Sequence, residues 1–186
     1  MSINKLRKDF PIFRDKKLIY LDNASTTQKP QCVIDAVSNF YSKYNANVHR
    51  GAYHIAEIAT KKYESARQKI AEFINADQDE IVFTKSTTES INLVAYSLGI
   101  NNYKEGDEII ISEMEHHSNI IPWQIISNKF KIKLKYIPLL NNGTLDINFL
   151  SKLITKKTRL ISITHMSNVI GTINPVEDII KTAKKK

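Results

Sequence analysis

Three short stretches carry side chains that could do chemistry, and each sits where an apolar run gives way to a helical pattern. The first, Thr84-Lys85-Ser86-Thr87-Thr88-Glu89-Ser90, gathers hydroxyls at a helix start, where backbone N–H groups lack partners. Hydroxyls, free N–H groups and the positive end of the helix dipole together suit a phosphate. The same residues read equally as a capping box, Ser86 with Glu89, that needs no ligand. The stretch has none of the glycine pattern of a nucleotide-triphosphate loop.

The second stretch is Glu113-Met114-Glu115-His116-His117-Ser118-Asn119. Its adjacent histidines lack the spacing of a helical metal pair. An imidazole can instead lie flat on an aromatic ring. The alternative is an ordinary helix start capped by Ser118 or Asn119. The third, Thr164-His165-Met166-Ser167-Asn168-Val169-Ile170-Gly171-Thr172, offers Asn168 as a neutral donor and acceptor for a phenolate oxygen or a carboxylate. It also reads as a simple turn, since Asn and Gly favour turns. Upstream, Asp22-Asn23-Ala24-Ser25-Thr26-Thr27 is a polar loop. Val48-His49-Arg50-Gly51 presents a planar cation that could bind a carboxylate or phosphate in bidentate fashion, or stand as a surface arginine.

The elements that must position these residues alternate. Helices are expected over Ile3–Phe10, from Pro30 through Tyr44, and over Ile55–Ile74, Thr88–Leu98, Asn119–Phe130, Leu145–Ile154 and Pro175–Lys184. Strands are expected at Leu18–Leu21, Ile81–Thr84, Ile109–Ile111, Leu134–Ile137 and Leu160–Thr164. Apolar strands alternating with helices predict an α/β sheet covered on both faces. Ligands in such sheets bind beyond the carboxyl ends of the strands, which is where all three stretches fall.

Length and composition set bounds. The 186 residues suffice for a domain with a core, and 42% hydrophobic with 25% charged residues is ordinary for a globular protein. No internal linker stands out. No apolar run is long enough to span a membrane and no secretory leader is visible, so the expected compartment is the cytoplasm. The single cysteine, Cys32, is expected to be a half-buried helix residue rather than a nucleophile. The net charge of +8 comes almost wholly from scattered lysines, with arginine only at positions 7, 14, 50, 67 and 159. A scatter solvates a surface, whereas nucleic acid needs a stripe, so no nucleic-acid partner is expected.

Taken in order, "YLDNASTTQKP", "NVHRGAYH", "FTKSTTESINLVA", "SEMEHHSNIIPW", "NNGTLD" and "ITHMSNVIGTINPV" resemble the class V aminotransferase-fold enzymes. The likeness is greatest to the SUF-type (group II) cysteine desulfurases, and runs from about Asp9 to Lys181. The resemblance implies an α/β, three-layer transferase fold of the aspartate aminotransferase kind that binds pyridoxal 5'-phosphate (PLP). Residues 1–186 would form the N-terminal part of its large domain, with 1–50 supplying N-terminal helices and active-site loops. The sheet would be truncated, and the C-terminal half and small domain absent. It implies that Thr87 and Thr88 hold the PLP phosphate. His116 would stack on the pyridine ring, and Asn168 would contact the phenolic oxygen. Ala24, Ser25, His49 and Arg50 would line the substrate pocket and its mouth.

The implied reaction takes L-cysteine to L-alanine, leaving a persulfide for sulfur-acceptor proteins of iron–sulfur assembly, in a homodimer. Selenocysteine lyase is the near alternative. The family's imine-forming lysine lies in a Ser-x-His-Lys setting, and its persulfide cysteine in a later loop. Neither is matched here, and Cys32 is not that cysteine, so no catalytic residue is assigned. The chain alone is expected to be inactive and prone to aggregation. The closing run Lys184-Lys185-Lys186 suggests a slipped frame or a decayed remnant, with a non-catalytic, partner-binding fragment as a further alternative.

Overall fold

Ile109, Ile110 and Ile111 are fully buried and point alternately to opposite faces of a sheet, as the period of two along a strand requires. A computed structural model describes residues 3–14 and 17–185. By their contacts these fall into two units, residues 1–83 and 84–186.

The second unit holds the sheet. Strands β1 (Glu108–Ser112), β2 (Lys133–Ile137) and β3 (Thr158–Ser162) are parallel in the order β2-β1-β3. Ile109 stands beside Leu134 on one side and Leu160 on the other. Helices α4 (Thr87–Asn102) and α5 (Ile121–Phe130) cover one face. Ala95, Trp123, Ile126 and Ile132 pack there with Ile109 and Ile111. Helices α6 (Ile147–Leu153) and α7 (Val176–Lys184) belong to the other face, where Leu150, Ile154 and Ile179 pack with Ile110 and Ile137. Helix, sheet and helix make three layers, as expected. At about 25 cal/mol per Å² of apolar surface, burying a side chain such as Ile110 contributes roughly 2 kcal/mol.

The first unit is helical. It contains α1 (Ile3–Arg7), a 3-10 turn at Pro11–Phe13, α2 (Gln31–Lys43), α3 (His54–Ile74) and a 3-10 turn at Gln78–Glu80. Pro30 sits at the N-cap of α2 rather than inside its first turn. Asn75 ends α3 in the left-handed conformation, with its N–H on the Ala71 and Glu72 carbonyls. The helix expected over Ile3–Phe10 stops at Arg7 and gives way to the Pro11 turn.

Two expected strands are not formed. Leu18–Leu21 and Ile81–Thr84 belong to no ladder. β-structure is completed by a neighbour, and among the described residues neither segment has one. Their apolar side chains are largely bare as a result: Ile19 is 80% exposed, Leu21 91% and Val82 68%. Cys32 is also exposed on α2, not half-buried, because no residue of α2 is buried. Among the described residues, no helix is long and apolar enough to cross a membrane, and no cluster of His, Cys, Asp and Glu could hold a metal.

Candidate functional site

In the second unit the carboxyl ends of β1 and β3 lie side by side, so the turns that follow them emerge at the same end of the sheet. Helix α4 joins β1 through the short connection Tyr103–Asp107 and packs against residues His117–Asn119. Its C-terminus is therefore at the amino end of β1, and Thr87 and Thr88 at its other end lie toward the carboxyl ends of the strands. This is where ligands bind in open α/β sheets.

The start of α4 is a built cap. The Ser86 hydroxyl accepts from the Glu89 N–H at 3.3 Å, and the Glu89 carboxylate accepts from the Lys85 N–H. The expected capping box is thus present, shifted by one residue on the return bond. The cap leaves the Thr87 and Thr88 N–H groups and hydroxyls without a hydrogen-bond partner among the described residues. Both side chains are exposed. The cap and a phosphate are therefore compatible, because the cap uses donors other than those a phosphate would take.

His116 lies four residues past the end of β1. Its Nδ1 accepts from the Ser118 N–H at 3.1 Å and lies 2.9 Å from the Ser118 hydroxyl. The neutral ring then carries its proton on Nε2. The ring is exposed and available for stacking. The cap of this 3-10 turn is His116 itself, not Ser118 or Asn119. Helix α5 begins after Ile120 with no side-chain cap and with Pro122 in its first turn, where a missing N–H costs nothing.

Asn168 sits in a turn between two pairing segments. Ser167 N–H donates to the Thr172 carbonyl at 3.0 Å, and Met166 bridges Ile173. Gly171 N–H closes on the Ser167 carbonyl at 3.0 Å with φ of 72°, a left-handed value that glycine meets without strain. Asn168 is exposed, and its amide makes no hydrogen bond to a described residue.

Residues to which the sequence reading gave no site role join the His116 and Asn168 turns. Glu115 is 8% exposed and is in no ion pair with a described residue. Its carboxylate accepts from the Thr164 N–H at 2.9 Å, the Asn119 amide at 2.7 Å and the Ser112 hydroxyl. Asn119 Oδ1 in turn accepts from Trp123 Nε1 at 2.8 Å and from the Ser162 hydroxyl at 2.6 Å. Hydrogen bonds to a charged group contribute about 1.5–3 kcal/mol each when buried. The signal in the sequence was the spacing of four between Glu115, Asn119 and Trp123.

The remaining candidates belong to the first unit. Ala24 and Ser25 form an exposed turn in which the Ser25 and Thr26 N–H groups donate to the Asp22 carbonyl at 3.2 and 3.0 Å. Tyr20 steadies it by donating to the Thr26 carbonyl at 2.7 Å. His49 adopts a left-handed backbone, φ 71°, which is uncommon outside glycine. Its N–H donates to the Thr60 hydroxyl at 2.9 Å and its Nε2 to Glu64 at 2.7 Å. The His49 hydrogen bond, together with Gln78 and Arg67, holds the Glu64 carboxyl below its ordinary range against a smaller opposing cost of burial. Arg50 follows His49, exposed and in no ion pair with a described residue.

This donor set fits PLP. Unpaired hydroxyls and N–H groups at a helix start suit its phosphate, an exposed imidazole suits its ring, and an unpaired amide suits its phenolic oxygen.

The family model for aminotransferase class-V matches residues 19–186. A cysteine desulfurase of Wigglesworthia glossinidia brevipalpis is 50% identical over 187 residues, which cover 98% of this chain and 46% of that protein. The apo structure of a cysteine desulfurase from Thermococcus onnurineus superposes with a TM-score of 0.92 at 43% identity, over 98% of this chain and 45% of the other. A cysteine desulfurase from Escherichia coli, in an S-sulfonic acid form, gives a TM-score of 0.86 at 38% identity, over 100% and 46%. The chain spans about half the length of the curated relatives it matches, 47% for the two at the head of the comparison. The chain belongs to the class-V aminotransferase family.

Proposed function

We propose that this chain is the cofactor-cradling half of a SUF-type, PLP-dependent cysteine desulfurase. The supporting observation is the pair of unpaired threonines at the start of α4, at the end of the sheet where the His116 and Asn168 turns emerge. PLP, when bound, supplies an electron sink for the α-carbon of an amino acid. The chain's own residues bind and orient it. Thr87 and Thr88 donate N–H and O–H groups to the phosphate, favoured by the α4 dipole. His116 lays its imidazole on the ring, with its orientation fixed by Ser118. Asn168 donates to the phenolic oxygen. By the family resemblance Ala24, Ser25, His49 and Arg50 line the substrate pocket and its mouth.

L-cysteine is the proposed substrate and an iron–sulfur assembly protein the proposed acceptor of its sulfur. Family resemblance assigns covalent catalysis to a lysine and a cysteine whose settings do not occur in these 186 residues. The chain by itself is therefore proposed to bind PLP without turnover, since both groups form bonds to the reacting molecule.

Titrating PLP into the chain tests this. Saturable binding without the absorbance band of covalently held cofactor is expected. Thr88→Ala should weaken it about tenfold, the loss of one charge-assisted hydrogen bond. Equal affinity in Thr87→Ala, Thr88→Ala and the unaltered chain would sink the phosphate assignment.

A further inference from the structure

The indole N–H of Trp123 can only donate, and it points at Asn119 Oδ1, 2.8 Å away. That contact fixes which way round the Asn119 amide lies. The Ser162 hydroxyl donates to the same oxygen at 2.6 Å. Asn119 Nδ2 therefore faces Glu115 Oε2 at 2.7 Å, which has to accept. At the far end the Thr164 N–H, also donor-only, reaches Glu115 Oε1 at 2.9 Å. Two obligatory donors, one on α5 and one just past β3, thus set the direction of every bond between them. No other arrangement of Glu115 and Asn119 satisfies both ends.

We propose that Glu115 and Asn119 are positioning residues forming a polarity relay, which holds the His116 turn against the Asn168 turn at the spacing the cofactor ring needs. Glu115 is bonded in sequence to His116, and Thr164 starts the segment that carries Asn168. The relay therefore grips both turns at their roots. A carboxylate serves here because it alone offers two oxygens that both accept and neither donates. This deepens the cofactor reading above and rests on it for its purpose, though not for its geometry.

A polarity swap tests the relay. In Glu115→Gln an amide NH₂ must face a donor: Asn119 Nδ2 in one orientation, the Thr164 N–H in the other. Turning Asn119 over only moves the conflict to Trp123. In Asn119→Asp two carboxylates face each other. In the double variant E115Q/N119D the new amide donates to the new carboxylate, which accepts from Trp123 and Ser162, so every bond returns. Trp123 is the chain's single tryptophan, so its indole N–H gives one unambiguous NMR signal.

The measurements are solvent exchange of that proton without cofactor, and PLP affinity by titration. Glu115→Gln should speed exchange and weaken PLP binding by about tenfold each, the effect of one buried donor left unpaired. The double variant should restore both to near the unaltered values. Additive losses in the double variant, or exchange at Trp123 untouched by Glu115→Gln, would overturn the relay. A packing role for Glu115 predicts that result, since Glu115 makes no hydrogen bond to Trp123 and reaches it only through Asn119. Should Glu115→Gln fail to fold, the double variant decides: folded with a protected indole supports the relay, unfolded overturns it. If the unaltered chain does not bind PLP, the cofactor reading falls, and the exchange rates still judge the relay.

Discussion

His49 brings its Nε2 to 2.7 Å from Oε1 of Glu64, across the gap between the loop and helix α3. Arg67 Nε at 3.1 Å and Gln78 Nε2 at 2.8 Å hold the other carboxylate oxygen. Arg67 also lies over the rings of Tyr63 and Phe83, with its guanidinium carbon 5.1 Å from each centroid, and reaches the Ile81 carbonyl. One carboxylate thus ties together the loop before α3, the helix itself and the segment after it.

Glu64 makes the first unit sensitive to acid. Its carboxyl is held below the ordinary range chiefly by the His49 hydrogen bond. A depressed pKa means the folded chain binds fewer protons than the unfolded chain between the two values. The stabilisation is complete above the ordinary carboxylate value and is lost as pH falls through the lowered one. Thermal melts from pH 6 down to 3 should show a steeper fall for the unaltered chain than for Glu64→Gln. Parallel curves would remove Glu64 from the account.

Gly51, in the His49 loop, packs closely against the start of α3. A Cβ there would lie 2.3 Å from the Ala56 Cβ and 2.9 Å from Tyr53 Cε1. Ala56 is fully buried in the helix and cannot yield. Gly51→Ala should cost about 1–3 kcal/mol by overpacking. It should also shift the His49 ring signals, because the loop must lift away from Glu64. A variant with an unchanged melting temperature and unchanged His49 shifts would contradict the close approach.

At the amino end of the sheet Glu108 is buried against Lys135. Burial pushes its carboxyl up, but the Lys135 ammonium at 2.7 Å and the hydroxyls of Thr155 and Thr158 at 2.6 and 3.2 Å outweigh that and hold it low. Removing only the cation strands the charge. Lys135→Met should destabilise by about 3 kcal/mol, and adding Glu108→Gln should recover much of the loss. Urea denaturation of the two variants measures this, and an additive double loss would mean that the pair does not act as one.

The sheet was legible because Ile109 to Ile111 is a bounded apolar run and Leu134 to Ile137 is apolar but for Lys135, each followed by a helical period. The turns were legible because hydroxyls, histidines and asparagine cluster at those boundaries. Leu18–Leu21 and Ile81–Thr84 were misread, since a strand is a property of two segments and only one was in view. The left-handed His49 was invisible for a similar reason: Thr60 and Glu64, which hold it, are remote in sequence. Glu115 and Asn119 were visible as residues, but Asn119 was read as a helix cap and Glu115 was given no role. Their bonds to Thr164 and Ser162 exist only after β3 is laid beside β1.

The misread segments carry their own consequence. Ile19, Leu21 and Val82 are 80%, 91% and 68% exposed in segments that have no ladder partner among the described residues. Bare apolar stretches of high β-propensity with unpaired N–H and C=O groups are templates for pairing between chains. The isolated chain should self-associate as its concentration rises, read by light scattering, and should melt broadly. Leu21→Lys and Val82→Lys place a charge in each template and should raise the concentration at which association begins, with little effect on secondary structure, because neither side chain is buried. A monomer at high concentration with a single cooperative melt would show that these segments are protected in solution, and the aggregation argument would fail.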